Sequence, residues 1–195
     1  MAEITLKKLD NINYDDTQLF RYMFRRYVRQ LRSYDPSVTI CEADADEYLY
    51  KQKGTTILLA SCTEIFSDIG FIVLGKSPEN GPVGCNYYLQ DFYINEKYQG
   101  MRFGKRVAET LFKEYPGKYF FYVLKKNRIA RLFWGRVIEE NGLQHFSLKI
   151  DKDHIYPNCI CASYKTPKNK VENVEDDDEF WKEMLEKRMK EREGF

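Results

Sequence analysis

Histidine is nearly absent: the chain has 195 residues and only two histidines, His145 and His154. A His-built metal centre or a Cys/His nucleophile pair has too few members to form, so no metal is expected. Cysteine is also sparse. The five, Cys41, Cys62, Cys85, Cys159 and Cys161, are odd in number and lack the spacing of a disulfide framework, which fits a reducing intracellular compartment. Cys159 and Cys161 fall on one face of a candidate strand without further ligands, and they read as two small strand residues rather than zinc ligands. Long apolar runs are missing too. Nothing approaches the roughly 18 residues that cross a bilayer, and Met1 to Thr5 has neither the basic start nor the apolar stretch of a signal peptide. The expectation is a soluble, cytoplasmic chain with no membrane partner. With 31 basic and 30 acidic residues, the net charge of +1 gives no general pull on nucleic acid, and no nucleic-acid partner is expected.

Aromatic residues are plentiful: 15 Tyr and 13 Phe favour strands and supply flat walls for pockets. Residues 3–9 alternate as a half-buried strand. From Gln18 to Arg32, Phe20, Phe24, Tyr27, Val28 and Leu31 recur at helical spacing, and Arg21, Arg25, Arg29 and Arg32 form a second, basic stripe. Asp35-Pro36 ends that helix, and a short helix over 43–53 follows. Apolar runs at 55–61 and 69–74 predict antiparallel neighbours, with a loop over 75–84. Residues 85–94 predict a long strand, 105–115 a helix closed by Pro116-Gly117, 118–124 a buried strand, and 128–140 a helix ended by Asn141-Gly142. Two more strands are expected near 143–150 and 159–165.

One domain over residues 1–166 accounts for this order, with a charged extension over 167–195. In the extension, Glu175 to Glu179 would open a helix whose apolar face holds Phe180, Trp181, Met184, Leu185 and Met189. That helix reads as docking on its own domain or on a second copy of the chain, a homodimer being the partner arrangement it suits, in preference to a partner-recruiting tail.

Gln99-Gly-Met-Arg-Phe-Gly104 lies between a strand and a helix. Backbone N–H groups converging at a helix start can hold a diphosphate without a metal, and that context gives the glycines weight. These residues resemble the acyl-CoA loop of the GNAT superfamily of N-acetyltransferases, which reads Arg/Gln-x-x-Gly-x-Gly/Ala. Gln99 and Gly104 match its ends. Arg102 stands at the usual middle Gly, where it fits with a negative φ and an outward side chain able to meet a CoA phosphate. Asn127-Arg-Ile-Ala130 stands where the family opens the helix after its fifth strand. Phe92 to Gly100, Phe112 to Lys118 and Asn127 to Trp134 are similar to a bacterial group of predicted, little-characterised GNAT proteins.

The resemblance implies a mixed α/β (α+β) GNAT fold: a mostly antiparallel central sheet flanked by helices, with its fourth and fifth strands splayed. It further implies transfer of an acetyl group from acetyl-CoA to a primary amine, on a small molecule or a peptide, by direct attack. Main-chain groups of Phe92, Tyr93 and Ile94 would hold pantetheine, and Gln99, Gly100, Met101, Arg102, Phe103, Gly104 and Lys105 the diphosphate. Asn127, Ala130 and Trp134 would complete the cofactor site.

Asp91 is the carboxylate on the fourth strand, where the family keeps a general base; a structural acid bonded to backbone or a Tyr is the competing reading. The family's thiolate-protonating Tyr falls at Trp134, whose indole is no acid. Water, or another group such as Tyr122, would then protonate the thiolate. The arginine stripe is ordinarily a solvated face, but the family's first helices border the acceptor cleft, so an acidic acceptor is open. A catalytically silent acyl-CoA-binding protein and, more weakly, a nucleic-acid-binding module are the rival classes.

Overall fold

A computed structural model of the chain describes residues 3–51, 53–75, 86–124, 126–141, 144–148 and 159–163. Residues 76–85, 149–158 and 164–195 lie outside it, and with them the expected loop after residue 75 and the C-terminal helix. The described elements run β1 (Ile4–Lys8), α1 (Tyr14–Tyr34), α2 (Asp44–Tyr50), β2 (Thr56–Cys62), β3 (Ser67–Gly75), β4 (Tyr87–Ile94), α3 (Phe103–Glu114), β5 (Lys118–Tyr122), α4 (Arg128–Glu140), β6 (Gln144–Leu148) and β7 (Cys159–Ser163).

Local chemistry sets the ends of α1 and the start of α4. Asn13 caps α1 by accepting from the Asp16 amide at 3.1 Å, and Asp15 and Asp16 complement the positive end of the helix. Pro36 biases Asp35 away from helical ψ, and Asp35 is extended, at φ −145° and ψ 104°. The helix is longer than its apolar spacing predicts by about a turn at its start. Asn127 caps α4, accepting from the Ala130 amide at 2.9 Å.

The seven strands form one sheet in the order β1-β2-β3-β4-β5-β7-β6. All neighbours are antiparallel except β4 and β5, which are parallel and pair only at Tyr87–Tyr119 and Tyr88–Phe120. Consecutive apolar residues in β2 serve both faces: Ile57 and Leu59 meet α1 and α2, while Leu58 and Ala60 meet the α3 and α4 side. A sheet covered on both faces explains why its strands read as unbroken apolar runs.

The strand β4 is not regular. Val73 of β3 pairs with Asp91 and Leu74 with Leu89, so Gln90 is an extra residue, a β-bulge. Leu89, Phe92 and Ile94 therefore pack toward α3 and α4, whereas Tyr93 packs toward α1 and α2. Asp91 opposes Val73, which belongs to the same α1/α2 cluster.

The pairing of β3 with the end of β4 is close. A Cβ added at Gly70 would lie 2.0 Å from the Tyr93 carbonyl oxygen and 3.0 Å from the Ile94 side chain. Gly70→Ala is expected to destabilise the chain by about 3 kcal/mol or more. Thermal denaturation reads this as a fall of roughly 6–12 °C for a chain of this size.

Candidate active site

Beyond Tyr88 the β4 edge that faces β5 has no strand partner among the described residues. Aromatic bulk fills the wedge that opens there. Trp134 of α4 lies 5.0 Å from the Phe92 ring and 4.7 Å from that of Phe121, centroid to centroid, with Phe133 at 4.9 Å. Trp134 is only 5% exposed, so it is as much a core residue as a wall. Asn127 spends its side-chain oxygen on the α4 cap, and the residue borders the opening.

A cleft of about 1180 Å³ occupies the wedge. Its walls are the C-terminal half of α1 (Tyr27, Gln30, Leu31, Tyr34), the end of β4 (Phe92, Tyr93, Ile94), the turn into α3, and α4. Of the residues singled out from sequence, Gln99, Gly100, Arg102, Gly104, Lys105, Asn127, Ala130 and Trp134 line it together with that end of β4. Three do not. Met101 is exposed, Phe103 is buried in the core beside Tyr98, and Asp91 lies behind the wall.

The turn into α3 is held from both sides. Gln99 donates its Nε2 to the Ile94 carbonyl at 2.7 Å and also meets Gln30 of α1. Gly100 has φ 79°, and Arg102 has φ 64°. The negative φ expected for Arg102 is thus corrected: the turn needs the left-handed conformation that a middle Gly would supply. Arg102 adopts it at a strain of about 1–2 kcal/mol. Arg102 makes no capping hydrogen bond, and helix geometry gives the first amides of α3 no partner within the helix. Gly104 lets this helix start sit against α4, since a Cβ there would be 3.2 Å from the Phe133 ring.

Arg102, Lys105 and Arg136 line the cleft beside that helix start, as do Glu139 and Glu140. Lys105 pairs with Glu140 and, at 3.6 Å, with Glu109. The Glu140 carboxyl is held below its usual range first by Lys105, and further by Arg136 and Arg102. The start of α3, with Arg102, Lys105 and Arg136 beside it, suits an anion. The N-terminal amides, the cations and the long aromatic cleft fit a nucleotide diphosphate carrying an extended arm.

Asp91 is 5% exposed, and burial raises its pKa from 3.8. The phenol groups of Tyr48 and Tyr27 approach it and oppose that rise. Oδ2 has no hydrogen-bond partner. Burial in turn raises both tyrosines, with the Asp91 charge as the next cause.

The arginine stripe of α1 turns away from the cleft. Arg21 pairs with Asp46 and Arg25 with Glu42, both at 2.8 Å, and none of Arg21, Arg25, Arg29 and Arg32 lines the cleft. Sequence reasoning missed the α1 wall. Tyr27, Leu31 and Tyr34 continue the stripe of Phe20 and Phe24 at helical spacing and read as core. The change from Phe to Tyr along the stripe is the signal that its far end meets solvent. The side chain of Tyr122 is outside the described residues.

No protein-family model and no curated protein matches this sequence. Solved structures do. A histone acetyltransferase HPA2-related acetyltransferase from Corynebacterium glutamicum superposes with a TM-score of 0.60 at 10% identity, over 86% of this chain and 99% of its own. A GNAT-family protein from Bacteroides thetaiotaomicron gives 0.59 at 14% identity, over 94% of each chain. A GNAT acetyltransferase from Staphylococcus aureus Mu50 gives 0.52 at 12%, over 82% of this chain and 98% of its own.

The raised Asp91 pKa has a consequence for stability. The folded chain holds this proton more tightly than the unfolded chain, so Asp91 lowers stability as pH rises from about 4 through the folded pKa. Asp91→Asn removes that descent. Denaturation midpoints at pH 4.5 and 7.5 should show the variant gaining on the wild type at the higher pH. The resemblance read from the sequence holds in the architecture: this chain has the GNAT fold.

Proposed function

We propose that the chain is an acyl-CoA-dependent N-acyltransferase, acting most readily with acetyl-CoA on a primary amine. The observation that carries this reading is the uncapped start of α3, ringed by Arg102, Lys105 and Arg136, at one end of a cleft that opens where β4 and β5 part.

In this reading the amides of Phe103, Gly104 and Lys105 bind the diphosphate, with Arg102 and Arg136 adding charge. The pantetheine arm lies between α1 and α4, along the unpaired edge of β4, and the Asn127 amide nitrogen donates to it. The thioester then stands beside Phe92 and Trp134. The amine attacks the thioester carbonyl directly, a β4 main-chain N–H stabilises the developing oxyanion, and no covalent enzyme intermediate is required. Asp91, its pKa raised by burial, is the final proton acceptor. The thiolate takes its proton from water, because Trp134 has none to give. The α1 wall of Tyr27, Gln30, Leu31 and Tyr34 carries no charge, which suits an acceptor whose body is neutral rather than acidic.

A thermal-shift series with CoA, acetyl-CoA and longer acyl-CoAs tests the reading. Saturation at about 100 times Kd adds about 2.7 kcal/mol, read as a rise of roughly 5 °C or more. A flat response at millimolar concentration overturns it. Binding without turnover on any primary amine would favour the silent binding protein that Trp134 also fits.

The anion site makes a separate prediction. Glu140→Gln releases Lys105 toward the diphosphate, so CoA should bind roughly three-fold tighter at low ionic strength. Calorimetric titration near 1 M salt should show the gain gone.

A further inference from the structure

Asp91 presents a difficulty for any direct proton transfer. Its carboxylate is the only acid on β4, yet it does not line the cleft. Tyr27 does line it, and the Tyr27 phenol also approaches the carboxylate. The Tyr27 ring is held in place by three neighbours: Phe24 at 5.9 Å, Phe71 at 5.7 Å and Tyr93 at 5.8 Å, centroid to centroid. One side chain therefore borders both the open cleft and the buried acid. Asp91 Oδ2 is buried and has no hydrogen-bond partner.

Resting on the acyl-transfer reading above, we propose that Tyr27 touches the acceptor amine and relays its proton to Asp91. The acceptor arrives as an ammonium ion. An N–H bond breaks as that proton passes to the Tyr27 phenol oxygen, while the Tyr27 hydroxyl proton passes to the Asp91 carboxylate. Tyr27 ends neutral and Asp91 ends protonated. The freed nitrogen pair forms the C–N bond to the thioester carbonyl. The C–S bond breaks with its electron pair on sulfur, and the nitrogen's surplus proton reaches the thiolate through water. The products are the amide, free CoA and neutral Asp91, which returns its proton to solvent for the next turnover.

A phenol whose own pKa is raised by burial is a poor base, so it works here only as a concerted carrier, accepting one proton as it gives up another. Tyr48 of α2 reaches the same carboxylate but does not line the cleft, which makes it a positioning residue. The other titratable groups that act on this cluster include Asp44 of α2 and Tyr88 of β4, and across the strand pair Asp91 stands opposite Val73.

The test is the pH profile of kcat with acetyl-CoA and the best primary amine of a panel, for wild type, Tyr27→Phe, Tyr48→Phe, Asp91→Asn and the Tyr27→Phe/Asp91→Asn double variant. Both tyrosine variants strip a donor from the carboxylate, so both should move the acid limb to higher pH. Tyr48→Phe should then regain the wild-type plateau. Tyr27→Phe should stay about 100-fold below it at every pH, with its CoA thermal shift unchanged. The double variant should be no slower than the slower single one, since both remove the same proton path. A Tyr27→Phe plateau equal to wild type overturns the relay while leaving acyl transfer standing, as does a multiplicative loss in the double variant. Absence of any CoA thermal shift, or of any turnover by the wild type, removes both readings together.

Discussion

The brevity of the β4–β5 contact is the constraint from which the site follows. Two parallel strands pair at two positions and then separate. The separation is kept open by bulk rather than by a missing partner: Phe92 and Phe121, one on each strand, both pack on Trp134 of α4. Closing the sheet would require this buried indole to leave the core, at a cost of several kcal/mol by the usual scale for large aromatic residues. A cleft maintained by packing in this way is already formed before ligand arrives, so binding loses little to reorganisation.

The bulge at Gln90 gives β4 its two chemical faces. In a regular strand, Leu89 and Asp91 would share a side, and the acid would point into the apolar layer beneath α3 and α4. The inserted residue puts Leu89 and Asp91 on opposite faces, and Asp91, like Tyr93, faces α1 and α2, where Tyr27 and Tyr48 approach it. A carboxylate placed there carries a desolvation cost that two phenols only partly offset. The fold keeps that cost at the point where the sheet opens, and the pairing around Gly70 and Ile94 holds the strand in register beside it.

Electrostatics divide the molecule in a similar way. Basic residues of α1 pair with α2, with the segment before it and with the turn before α3: Arg21 with Asp46, Arg25 with Glu42, and Arg26 with Glu96 at 3.0 Å. These are exposed or half-exposed pairs, each contributing little to stability, and they leave the cleft wall neutral. The cations left for an anion stand around the α3 start. Arg102 there accepts a backbone conformation that glycine would adopt without strain, which fits a position where a charge contributes more than relaxed geometry.

The sequence by itself determined the order of the elements, their types and the motif positions, because these depend on local physics. Helical spacing, Asn127 as a cap, Pro36 and Pro116 as stops, and doubly apolar strands each act over a few residues. The helix over Arg128–Glu140 was legible to its last residue, and Gln99 to Gly104 was legible as a strand-to-helix turn. Tertiary structure alone decided the rest. Whether Arg102 has positive φ depends on where α3 must start relative to Ile94 and Phe133. Whether Asp91 faces the cleft or the α1/α2 layer depends on one extra residue in a ladder, which alternation in one strand cannot reveal because it is a property of two. The α1 wall was hidden for the same reason: a stripe of Phe and Tyr looks alike whether a sheet covers it or leaves its far end over an opening, and only the early parting of β4 from β5 leaves Tyr27 and Tyr34 at a surface.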